Sequence, residues 1–193
     1  MQLTPHMLLN AYSQGVFPMA HEDGEIYWYD PDPRAIIPLD GFHVPRRLAR
    51  TIRRGGFEVR FDSSFRQVMT ACAKPAPDRE STWISDEFIE VYSLLHDLGF
   101  AHCVETWVAD ELVGGLYGVT LGGLFAGESM FSRTTDASKI ALVYLVERLR
   151  RRGFTLLDTQ FMTGHLRRFG AVEISRQAYK QRLVKALGVW AWF

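Results

Sequence analysis

Two short segments of this 193-residue chain hold residue types that carry acid–base chemistry. The first is Gly127-Glu128-Ser129-Met130-Phe131-Ser132, a carboxylate inside a run that otherwise reads as buried strand. The second is Asp158-Thr159-Gln160, an acid and an amide two residues apart at the end of a strand-like run. Alternate strand residues face the same side, so Asp158 and Gln160 are expected to project together. A carboxylate without partners is costly to bury. A strand bearing Glu128 beside one bearing Asp158 and Gln160 therefore reads as the floor of a polar site. Glu128 has a second reading, as a buried ion-pair partner for Arg133 or Lys139.

Other candidates surround that pair. Met130, Phe131, Phe125 and Leu157 could wall an apolar pocket next to Glu128 and Ser129, although apolar strand residues are more often plain core. Trp28, in a proline-rich segment, and Trp83 could stack on a flat ring or pack their loops. Arg46, Arg47, Arg50, Arg53 and Arg54 read either as a phosphate-contacting patch or as a solvated helix face. His96, His102 and Cys103 lie close together but at no metal-ligand spacing, so they read as structural and no metal is expected. His165 follows the Asp158–Gln160 run, as a packing or capping histidine.

Bulk properties narrow the class. Lysine plus arginine equal aspartate plus glutamate at 22 each, so net charge gives no sign of a polyanionic partner, although a local basic patch can hide in a neutral total. Two cysteines in 193 residues suit a reducing cytosol rather than a disulfide framework. No basic-then-apolar leader is visible at the N-terminus, and the longest uncharged run, Leu112 to Gly127, is shorter than a membrane span. A cytoplasmic globular protein is expected.

The elements that must position these residues can be read in order. Thr4-Pro5 starts a helix that presents Leu8, Leu9 and Tyr12 and stops at Gly15. The aromatic and proline-rich segment through Pro31, Pro33 and Pro38 reads as a rigid extended loop, with neither helix nor central strand. Pro45 to Arg54 is a short basic helix, followed by an alternating strand over 57–61. The stretch Lys74 to Glu80 reads as a mobile loop. Ser85 caps a helix that closes at Gly99. Strands follow over 101–108, 112–120 and 124–132, with turns at Ala109-Asp110-Glu111 and Leu121-Gly122-Gly123. Asp136 caps a helix to Arg152, 154–158 is a short strand, and Ser175 caps the last helix.

This order is α+β: a mostly antiparallel sheet with flanking helices. It divides into a small N-terminal α/β domain, residues 1–61, and a C-terminal domain, 62–193, patterned like an acyl-CoA N-acyltransferase. The segment Arg133–Lys139, where such enzymes place a glycine-rich pyrophosphate loop, contains no glycine. Coenzyme A is therefore not expected as the acyl donor.

Taken together, the motifs resemble the bacterial leucyl/phenylalanyl-tRNA–protein transferase family. They include Ala11-Tyr12…Gly15…Phe17-Pro18, Trp28…Pro31-Asp32-Pro33-Arg34 and Thr82-Trp83-Ile84. Further along come Leu112-Val113-Gly114-Gly115, the Gly127–Arg133 block, Ala137-Ser138-Lys139, Asp158…Gln160 and Gly170-Ala171…Glu173-Ile174. The resemblance implies transfer of Leu or Phe, less readily Met, from aminoacyl-tRNA to proteins beginning with Arg or Lys, marking them for degradation. It implies Asp158 and Gln160 as the catalytic pair, with the Gln160 carbonyl accepting from an attacking amine, Asp158 orienting that amide in a relay and Glu128 holding an ammonium, together with a Leu-sized pocket, no cofactor beyond the charged tRNA, and a monomer. Relatives often carry extra sequence at both ends, so any RNA contact made there would be absent or replaced. Two other classes stay open: a coenzyme A-dependent N-acetyltransferase and a non-catalytic adaptor for basic protein N-termini.

Overall fold

The computed structural model describes residues 3–21, 23–75 and 82–193. In chain order its elements are α1 (Pro5–Ser13), β1 (Phe17–Ala20), β2 (Ile26–Tyr29), β3 (Arg34–Ile37), α2 (Arg46–Arg54), β4 (Glu58–Phe61), α3 (Phe65–Cys72) and α4 (Asp86–Asp97). They continue as β5 (Ala101–Val108), β6 (Glu111–Leu121), β7 (Leu124–Ser132), α5 (Ala137–Arg151), β8 (Leu156–Gln160), α6 (Gly164–Arg167), β9 (Val172–Ile174) and α7 (Arg176–Leu187). Most of the segment expected to be a mobile loop, residues 76–80, lies outside the described residues.

Local chemistry explains most of these boundaries. Thr4, Ser85 and Ser175 each accept a hydrogen bond from a backbone N–H of the first turn they precede. The β5–β6 turn uses Ala109 and Asp110, both at positive φ, as a tight hairpin between right-twisted strands requires. Asp136 does precede α5, but it does not cap it. Its backbone is left-handed at φ 69 and its carboxylate accepts from Lys139 Nζ at 2.6 Å. Ser132 Oγ takes over, accepting from Ser138 N at 3.2 Å.

β1 and β2 pair as a separate antiparallel hairpin, and the other strands form one sheet in the order β4-β5-β6-β7-β8-β3-β9. Only β7 and β8 run parallel, with α5 as the crossover between them. The α+β class with an antiparallel-dominated sheet is as the sequence predicts. Two apolar cores cover its faces. Ile36, Cys103, Tyr117, Val119 and Ala126 pack beneath α1, α3, α4 and α7. Ile37, Val104, Leu116, Phe125 and Leu157 pack beneath α2 and α5.

The proline-rich segment departs from expectation. It contains β3, an interior strand between β8 and β9, and the β1–β2 hairpin. The prolines flank β3 instead of interrupting it: Pro33 lies before Arg34 and Pro38 after Ile37, so all four residues keep their N–H groups for the ladder. β3 and β4 both come before the division expected near residue 62, yet both belong to the seven-stranded sheet.

Candidate active site

The site forms where the parallel pair comes apart. β7 and β8 are in register only over Leu124–Ala126 and Leu156–Asp158. Just beyond, each strand carries a bulge. On β7, Tyr117 stands opposite Ser129 and Gly118 opposite Gly127, leaving Glu128 as the extra residue. On β8, Ile36 stands opposite Asp158 and Ala35 opposite Gln160, leaving Thr159 extra. Bulges re-aim side chains and end pairing. A Cβ at Gly118 would lie 2.4 Å from Ala126 O and from the Phe125 ring, so the β7 distortion needs glycine beside it.

Glu128 and Gln160 meet across this gap. Gln160 Nε2 donates to Glu128 Oε1 at 2.9 Å, and the Tyr12 hydroxyl donates to the same oxygen at 2.7 Å. The Tyr92 hydroxyl backs Tyr12 in turn, so α4, α1, β7 and β8 are linked through side chains. The second carboxylate oxygen, Oε2, is buried and has no partner in the protein. Burial pushes the Glu128 carboxyl up to about 8, and the charge of Asp158 adds to the rise, while the two hydrogen bonds pull the other way. Burial likewise raises the Tyr12 and Tyr92 hydroxyls well above their usual range, so both remain donors.

Asp158 sits one strand away in the opposite condition. Arg34 grips it with two bonds, Nε to Oδ1 at 2.9 Å and a terminal nitrogen to Oδ2 at 2.6 Å. The Tyr179 hydroxyl donates to Oδ2 and the Gln160 backbone N–H to Oδ1, both at 2.9 Å. Arg34 also donates to Gly15 O at 2.9 Å and is sandwiched between the Phe17 and Tyr179 rings. The ion pair, 1% exposed on each side, thus ties α1, the hairpin and α7 to β8. It also holds Gln160 at φ 63, a conformation rare for a side-chain-bearing residue.

The expected relay is therefore corrected. Asp158 orients the backbone of Gln160, and Glu128 orients its amide. Glu128 is not paired with Arg133 or Lys139: Lys139 binds Asp136, and Arg133 donates to Leu112 O at 3.0 Å. The acid and amide do not simply alternate along a regular strand, because the bulge at Thr159 and the positive φ at Gln160 break the period of two.

The remaining candidates fall into separate groups. Phe125 and Leu157 are fully buried in the core beneath α5, and Met130, partly buried, packs against that same core. Ser129 pairs with Tyr117, and Phe131 turns to the α3 face, under the Arg133 guanidinium. Trp28 is 41% exposed on the hairpin, opposite Pro18. Trp83 packs edge-on against Phe88, and its carbonyl accepts from Ala20 N of β1. Arg46, Arg47, Arg50, Arg53 and Arg54 are all exposed on α2, and none makes an ion pair among the described residues.

The structure also gathers Asp62, His96 and His102 within ligand distance of one another. The nitrogens there face oxygen acceptors: His102 Nδ1 is 2.8 Å from Asp62 Oδ2 and its Nε2 3.2 Å from Gly99 O, while His96 Nδ1 is 2.8 Å from Ala101 O. These contacts tie the start of β5 to the end of α4 and to Asp62. Sequence reasoning missed Tyr12, Tyr92, Arg34 and Tyr179 as site residues. Only Arg34 and Tyr12 had a signal, as members of motifs in which they read as loop and core.

Comparison with known proteins agrees along the whole chain. A family model described as leucyl/phenylalanyl-tRNA protein transferase matches residues 36–184, and one described as its N-terminal domain matches residues 1–32. A leucyl/phenylalanyl-tRNA–protein transferase of Herpetosiphon aurantiacus is 65% identical over 187 residues, covering 96% of this chain and 95% of that protein. One from Paramagnetospirillum magneticum is 55% identical over 193 residues, covering 99% and 92%. Among solved structures, L-PGS from Bacillus licheniformis is similar at 17% identity and a TM-score of 0.42, covering 79% of this chain and 51% of that one. On the family-model and curated-relative matches, the chain belongs to the leucyl/phenylalanyl-tRNA protein transferase family.

Proposed function

We propose that this chain transfers leucine or phenylalanine, and methionine less readily, from aminoacyl-tRNA to the N-terminal Arg or Lys of a protein. The observation that carries this reading is the open oxygen of Glu128, buried at the mouth of the β7–β8 gap and held by Gln160 and Tyr12. Such an oxygen is built to receive an N–H.

The reaction is aminolysis of an activated ester. The neutral α-amine of the acceptor attacks the aminoacyl carbonyl carbon, forming the C–N bond. The nitrogen then loses a proton, and the C–O bond to the ribose breaks as that oxygen takes one up. An α-amine has an ordinary pKa of about 8, so attack needs positioning more than activation. Gln160 has its amide N–H₂ on Glu128, which leaves its carbonyl oxygen to accept from the incoming amine. Glu128, with its carboxyl raised to about 8, is mainly protonated at neutral pH, and its ionised minority form is the one that takes an amine proton. Asp158 has no lone pair to spare and serves by fixing Gln160.

In this reading the side chain of the donated residue enters the gap toward Met130, the partly buried member of the expected pocket. The α2 arginines, packed alongside α5 through Leu48 and Ile52, would carry the tRNA phosphates, and Trp28 or Trp83 would stack on the terminal adenine. Coenzyme A has no part in it. Where a pyrophosphate would meet the start of α5 stand Asp136 and a glycine-free loop. Among the described residues no helix is long and apolar enough to cross a membrane, and we read the protein as a cytoplasmic monomer. The test is direct. Leu-charged tRNA and an Arg-initiated peptide should yield Leu-peptide, and ribonuclease pretreatment should abolish it. Absence of product with both Leu- and Phe-charged tRNA would overturn the assignment.

A further inference from the structure

The single turn of α6 ends on two cations. Arg167 closes the helix and Arg168 follows it; both are exposed, and neither makes an ion pair among the described residues. The acids on the two segments adjoining α6, Asp40 and Glu173, are exposed as well and pair with neither arginine. Lys139 belongs to the same corner of the molecule but is paired with Asp136 at 2.6 Å. Burial pushes the His165 ring below the ordinary histidine range, and the charges of Lys139 and Arg168 add to the fall. Arg167 and Arg168 are thus open to an anion from outside the protein.

Chain direction says which anion. β3 is antiparallel to both β8 and β9, so β8 and β9 run the same way and the segment joining them crosses back along the sheet. α6 lies on that return. It begins four residues after Gln160, packs Leu166 against the core beneath α5, and leads into Phe169, whose ring stacks on Phe42 at 5.5 Å. Phe169 O accepts from His43 N at 3.0 Å, and α2 begins at Arg46, three residues further on. An RNA strand with its terminal ribose at Gln160 and its stem on α2 therefore passes over α6. Each nucleotide of that strand brings a phosphate, and the guanidinium fork matches phosphate oxygens. We propose that Arg167 and Arg168 hold the phosphates of the single-stranded 3′ end of the donor RNA, between the ester in the gap and the stem on α2. This inference rests on the transferase reading above.

The test uses three donors of one amino acid: phenylalanine esterified to adenosine, which has no phosphate, to the trinucleotide CCA, and to whole tRNA. In the wild-type protein the KM of the CCA ester should rise with salt, and that of the adenosine ester should not. R167Q/R168Q should raise KM about tenfold for the CCA ester and for charged tRNA. It should use the adenosine ester and the acceptor peptide as before; a melting curve verifies that the variant folds. Its slope of log KM against log salt for the CCA ester should fall by about 1.4, since single strands contribute about 0.7 per phosphate. R46Q/R50Q/R53Q should raise KM for charged tRNA and leave the CCA ester alone; the opposite pattern would overturn the proposal. A salt-independent KM for the CCA ester in the wild-type protein would overturn it without any variant. So would an unchanged KM for that ester in R167Q/R168Q, or a raised KM for the peptide instead, which would give α6 to the acceptor. Transfer from none of the donors, with leucine as well as phenylalanine, would remove the transferase reading itself.

Discussion

Asp158 and Glu128 are carboxylates on adjoining strands and the same face of the sheet, yet their surroundings differ in kind. Four donors occupy Asp158, two of them from a buried guanidinium. Glu128 has two neutral donors on one oxygen and none on the other. A third buried acid, Glu105, extends the series: it accepts from the Ser63 and Ser64 backbone, the Ser63 hydroxyl, the Cys103 thiol and the Trp107 indole. Glu105 and Asp158 are saturated and join distant segments of chain. Of these three, only Glu128 has an oxygen left for something that is not protein. A buried acid with every lone pair occupied is a fastener, and one with an open oxygen is a reagent.

Breaking the saturated region should cost the most. Arg34→Met leaves Asp158 buried and unpaired, and removal of one partner from such a pair costs about 3–5 kcal/mol. Chemical denaturation should show a loss of that size, with Arg34→Met/Asp158→Leu recovering part of it. Equal loss in the single and double variants would mean that the pair contributes only through packing.

Glu128→Gln should invert this pattern. Turnover should fall about 10²–10³-fold, within the range for removing a positioned proton acceptor, while stability near neutral pH is kept or raised. The sign follows from linkage. A carboxyl at about 8 in the folded chain, against about 4.3 unfolded, makes the native state bind the extra proton between those values. Stability from this group is therefore full below about pH 4 and declines as pH rises toward 8. The difference in unfolding free energy between Glu128→Gln and wild type should grow in favour of the variant over that window. A constant difference would contradict the assignment.

The smallest of these effects belongs to the α2 surface. Replacing Arg46, Arg50 and Arg53 with Gln should leave the melting temperature nearly unchanged, since all three are exposed. It should lower the slope of log affinity for tRNA against log salt by about two to three. An unchanged slope would return α2 to an ordinary solvated face.

How far the sequence led depended on whether each signal was local. β5, β6 and β7 were legible because turn residues punctuate them, and α4 and α7 because serine caps precede them. α3 was missed for a physical reason. Ser64 does precede it, but its side chain makes no cap bond; the backbone N–H groups of Ser63 and Ser64 instead bind Glu105, some forty residues away, a partner that the local sequence does not record. β3 was misread because four residues between prolines look like loop until β8 and β9 supply partners on both sides. The acid–amide pair and the glutamate were visible as unusual strand residues. Their division of labour was not, because Arg34 lies 124 residues from Asp158 and Tyr12 lies 116 from Glu128. The two bulges that turn Glu128 and Gln160 toward each other come from pairing register, which one strand's sequence does not record.

The claim that separates reagent from fastener is a statement about one proton. Carbon-13 NMR of protein labelled at glutamate side-chain carboxyls, with Glu128→Gln identifying the resonance, would follow its titration directly. The account predicts a signal that titrates near pH 8 and is absent from the variant. A Glu128 resonance that titrates below about pH 5, in the ordinary carboxylate range, would contradict it.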